Sequence, residues 1–70
     1  MIFYVSFQHK HELRTVKIRG KQATLDWLFE NRVPALIYNS KMKHVGTARI
    51  VGDVYYWGIG DAESSIGLRH

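Results

Sequence analysis

Seventy residues with ten Lys/Arg against six Asp/Glu, a net charge of +4 and no cysteine describe one small basic domain without disulfides or thiolate metal sites. At this length folding buries only about 60% of the unfolded surface, which leaves no room for a buried multi-part catalytic cleft and makes a homodimer one route to more buried area. No apolar run approaches the roughly 20 residues that span a bilayer and no signal-peptide pattern opens the chain, so the expectation is a soluble, cytoplasmic protein with no membrane partner.

Ile2-Phe3-Tyr4-Val5-Ser6-Phe7 alternates and is rich in aromatic and β-branched residues, which predicts a strand; a second follows at Leu13 to Arg19. Placing Phe3, Val5 and Phe7 on one face with Val16 and Ile18 sets the register: Val5 faces Val16, Phe3 faces Ile18, Tyr4 faces Lys17 and Ser6 faces Thr15. The intervening His9-Lys10-His11-Glu12 lacks Gly, Asn or Asp, so the register is better defined than the turn type. Gly20 ends the strand and Lys21 to Arg32 carries a helical pattern whose apolar stripe is Leu25, Leu28 and Phe29. Pro34 stops that helix and holds Val33 extended.

Ala35 to Tyr38 reads as a short apolar strand, followed by a polar loop at Asn39-Ser40-Lys41. Around Gly52-Asp53 a hairpin can be written that pairs Val51 with Val54, Ile50 with Tyr55, Arg49 with Tyr56 and Ala48 with Trp57, since a Gly-led two-residue link matches the twist of the strands it joins. Gly58-Ile59-Gly60 closes the last strand. The predicted fold is a small single α+β domain over residues 1–60, a mostly antiparallel sheet of four to five strands in the order β-β-α-β-β-β with one helix on one face. Residues 61–70, with Ile66 and Leu68 among Gly, Ser and acids, form a tail that is a docked helical turn or is frayed.

Side-chain parity then divides the sheet. Gly46, Ala48, Ile50, Tyr55, Trp57 and Ile59 belong to the core side. The opposite, open face displays Tyr4, Thr15, Lys17, Arg19, Lys43, Thr47, Arg49 and Tyr56, with no acid among them, although Ile2, Leu13, Val51 and Val54 share it. Cations neutralise phosphates and exposed rings stack on bases, so Tyr4, Lys17, Arg19, Lys43, Arg49 and Tyr56 are the candidate contacts of a low-specificity nucleic-acid binding surface. The charge distribution agrees: residues 1–50 carry a net +6 and residues 51–70 a net −2, which favours an anionic partner for the front of the chain.

A second reading rests on Trp27, which lies roughly 160° from the Leu25/Leu28/Phe29 stripe at 100° per residue, beside Ala23, Glu30 and Asn31. A large apolar ring on an outer helix face suits a protein-binding adaptor or inhibitor docking through Ala23, Trp27, Glu30 and Asn31; alternatively Ile66 and Leu68 of the tail cover the indole, or the helix phase is rotated. His9 and His11 form an HxH pair that a strand would point to one side, but no third ligand accompanies it, so no metal and no cofactor is expected. Asp26, Glu30, Asp53, Asp61 and Glu63 show no paired spacing and no Ser or His sits in a nucleophile-elbow context, so the chain reads as a small non-enzymatic accessory or regulatory protein.

Overall fold

A computed structural model describes residues 1–68; Arg69 and His70 of the anticipated tail lie outside the described residues. The chain runs β1 (Ile2–His9), β2 (Glu12–Arg19), α1 (Lys21–Asn31), β3 (Ala35–Asn39), β4 (His44–Val51), β5 (Val54–Ile59) and β6 (Ala62–Gly67). The six strands form one antiparallel sheet in the order β2-β1-β3-β4-β5-β6, and α1 packs across one face against β1, β2 and β5. The fold is therefore α+β with one helix, and the sheet has one more strand than the upper expectation.

The additional strand is the segment read as a helical turn or frayed tail. Gly60 adopts a positive φ of 63° and begins a two-residue link that returns Ala62 opposite Ile59, so the chain continues the meander. Ile66 then falls opposite Tyr55 on the helix side, where its side chain is partly buried against the core. Burial of that one residue and a full ladder on β5 give the segment a strand conformation that its weak apolar pattern concealed.

Both predicted hairpin registers are present: Val5 with Val16 and Phe3 with Ile18 in the first, Ile50 with Tyr55 and Ala48 with Trp57 in the second. Gly52, at φ 59°, leads the second turn as expected. The first turn closes between His9 and Glu12 with Lys10 and His11 both at positive φ, 50° and 69°, the geometry that Asn-Gly pairs adopt without strain. His11 therefore belongs to the turn while His9 ends the strand, so the pair does not share a strand face.

Alternation carries Phe3, Val5, Ile37, Tyr55, Trp57 and Ile59 to the helix side, where they form one core with Leu28, Ala35 and Ala48. The helix is rotated from the expected phase. Its buried residues are Thr24 and Leu28, whose midline lies roughly 70° from that of Leu25, Leu28 and Phe29. Thr24 tolerates full burial because its hydroxyl donates to the Gly20 carbonyl at 2.8 Å, one turn back. The rotation leaves Phe29 41% exposed and brings Trp27 to the flank of the buried stripe, where its ring packs on Phe7 with centroids 5.2 Å apart. Trp27 is thus half-buried at the helix–sheet contact.

Candidate nucleic-acid interface

On the sheet face away from α1, cross-strand pairing assembles rows of side chains. Antiparallel partners project to the same side, so the pairings fix which groups are neighbours. The first row is Lys17, Tyr4, Tyr38 and His44, drawn from β2, β1, β3 and β4 in that order. The next is Thr15, Ser6, Leu36, Thr47, Gly58 and Glu63, crossing all six strands. The third sets Arg49, Tyr56 and Ser65 side by side on β4, β5 and β6.

His44 reaches this face through a β-bulge. The register of β3 on β4 shifts between Ile37 and Tyr38, so that Ile37 faces Gly46 but Tyr38 faces His44, and the inserted Val45 turns its side chain to the core. The His44 and Tyr38 rings meet edge to face at 5.8 Å, and His44 Nε2 lies 3.1 Å from Thr47 Oγ1. The same bulge reverses the parity that placed Lys43 here. Lys43 sits in the turn before β4, where its backbone N–H donates to Asn39 Oδ1 at 3.0 Å and its carbonyl accepts from the Asn39 N–H at 2.9 Å. A regular alternation cannot anticipate an inserted residue, and that is why Lys43 was expected and His44 was not.

The other expected contacts divide into two groups. Tyr4, Lys17 and Arg19 cluster on β1 and β2, while Arg49 and Tyr56 pair on β4 and β5, the guanidinium carbon 5.1 Å from the ring centroid. Three strand spacings and two rows separate Lys17 from Arg49, roughly 20 Å in the sheet plane. The cations thus stand in two separate groups, with Tyr38, Ser6, Leu36 and Thr47 between them. A shallow apolar cleft of about 440 Å³, lined by Leu13, Leu36 and Pro34 among others, runs from β2 toward β4. The face is also not free of acids: β6 brings Glu63 opposite Gly58.

The four residues suggested for protein docking lie on one side of α1. Ala23, Glu30 and Asn31 are exposed on α1, but the Trp27 indole turns onto Phe7 and its backbone carbonyl accepts a hydrogen bond from Asn31 Nδ2 at 2.8 Å. Among the described residues no group of three or more His, Cys, Asp or Glu is placed to hold a metal ion, and no helix is long and apolar enough to cross a membrane. Comparison of the chain with protein-family models, with curated proteins and with solved structures returns no match. The site is therefore interpreted from its own geometry, on a two-layer α+β domain with one uncovered sheet face.

Proposed function

We propose that the uncovered sheet face binds single-stranded nucleic acid, through backbone charge and ring stacking and with little dependence on overall sequence. The observation that carries this reading is the row Lys17, Tyr4, Tyr38 and His44, a cation followed by three adjacent rings on one exposed surface. Base–aromatic stacking tolerates any base because every base has a π-face, and flanking cations follow the phosphates. Arg49 over Tyr56 supplies a second cation–ring unit on β4 and β5. Duplex recognition by the helix has less to recommend it, since the solvent side of α1 presents Asp26 and Glu30 to any phosphate backbone.

Titration of a labelled twelve-nucleotide single strand at two salt concentrations tests the proposal. Three phosphate contacts, from Lys17, Arg19 and Arg49, give a slope of about −2 in log K against log salt, so affinity falls about twentyfold between roughly 50 and 200 mM salt. Absence of binding at the lower salt, or binding indifferent to salt, removes the reading.

A further inference from the structure

The open face contains a hollow where a side chain is missing. Gly58 lies in the row between Thr47 and Glu63, and its bare backbone floors a depression of about 320 Å³ rimmed by His44, Thr47, Arg49 and Glu63. The floor stays bare for a steric reason: a Cβ added at Gly58 would stand 2.3 Å from the Ala62 carbonyl oxygen, so β6 approaches too closely for any side chain. The volume is at the small end of ligand clefts, and the gap from Thr47 to Glu63 spans two strand spacings, roughly 10 Å. A single planar ring fits that opening.

Glu63 is the informative member of the rim. It is exposed, has no side-chain partner among the described residues, and stands on a face whose other formally charged side chains are cations. An ionised carboxylate only accepts hydrogen bonds and repels phosphate, so its useful partner on a nucleic acid is a neutral donor. Exocyclic amino groups are such donors, and carboxylates accept from the cytosine N4 amino group in base recognition. Thymine and uracil instead hold their one N–H between two carbonyl oxygens, which oppose a carboxylate. On the opposite rim, the His44–Thr47 pair supplies polar groups for the far edge of the ring.

We infer that this hollow accepts one nucleobase bearing an exocyclic amino group, with Glu63 as the acceptor that selects it. The inference rests on the open-face reading and refines it: stacking and charge hold the strand, and one position discriminates. Oligo(dC) and oligo(dU) of twelve nucleotides are the probes, because their bases differ only at C4 and N3. The native protein binds oligo(dC) roughly tenfold more tightly than oligo(dU) at about 50 mM salt, toward the lower end for one specific base contact. In Glu63→Gln, whose side chain both donates and accepts, that ratio drops close to one while affinity for oligo(dU) holds or rises. An unchanged circular-dichroism spectrum and melting temperature establish that the variant is folded. Equal affinities in the native protein, or a ratio that survives Glu63→Gln, overturn the assignment of the hollow and leave the open-face reading intact. If neither oligonucleotide binds at the lower salt, both fall together.

Discussion

Tyr55 and Tyr56 are consecutive on β5, and the sheet separates them completely. Tyr55 lies under α1 with 0% exposure, its hydroxyl donating to the Val33 carbonyl at 2.8 Å. Tyr56 is half-buried on the other side, with Arg49 over its ring. The same phenol closes a polar account on one face and offers a platform on the other. Beneath the helix no buried side-chain nitrogen or oxygen among the described residues lacks a partner, and Thr24 satisfies its hydroxyl locally. The open face instead leaves Glu63, Lys17, Arg19 and Arg49 exposed and Tyr4 and Tyr38 half-buried. Polar groups cost stability when buried without partners, so a small domain with one helix keeps its unpaired polar side chains where it is not covered.

That contrast can be broken most severely at Leu28, which is fully buried against the sheet. Leu28→Ala is expected to cost about 3 kcal/mol in urea denaturation through lost transfer energy and the cavity left behind. A cost below about 1 kcal/mol would mean that α1 does not organise the covered face.

The alkaline limb sharpens the comparison at Tyr55. Burial pushes its phenol from 10.0 up to about 12. The unfolded phenol loses its proton near pH 10 while the native one keeps it, so stability declines as pH rises through 10 and levels off above 12. The decline is on the order of 2–3 kcal/mol. Tyr55→Phe, costing about 1 kcal/mol at neutral pH by stripping the Val33 carbonyl of its donor, removes that part of the alkaline loss. Denaturation midpoints of both proteins from pH 8 to 11.5 decide the point, and parallel profiles would place the phenol in contact with water.

The smallest change in stability is expected at Tyr56. Tyr56→Ala should alter unfolding by under about 1 kcal/mol, the scale of one cross-strand pair, yet weaken single-strand binding roughly tenfold if its ring stacks on a base. Native affinity in this variant would confine recognition to the Tyr4–Tyr38 side of the face.

Hairpin registers were legible because alternation and turn chemistry agree there: Phe3, Val5, Val16 and Ile18 can share a face in only one pairing, and Gly52 marks its own turn. The helix phase was not, because Thr24 reads as polar until its hydroxyl finds the Gly20 carbonyl, and Phe29 reads as core although it overhangs Trp57. On the open face, the placement of Tyr4, Lys17, Arg19, Arg49 and Tyr56 followed from parity. Tyr38 was in a recognised strand whose neighbours were unassigned, His44 arrives through an inserted residue, and Glu63 belongs to a strand with only Ile66 to reveal it. Local alternation was readable; the order of ribbons across the sheet was not.

Four of the five ladders join strands consecutive in the chain, and only β1 with β3 does not. That ladder has four residue pairs, against eight in β1 with β2. The domain is thus a two-strand ribbon and a four-strand meander joined by this ladder, which is as short as that of β3 with β4, and by α1, which packs on β1, β2 and β5; Tyr4 opposite Tyr38 straddles the joint. Whatever lies over those two rings touches both halves at once, so occupancy and the opening of that ladder are coupled equilibria, and a ligand here would protect the joint between ribbon and meander.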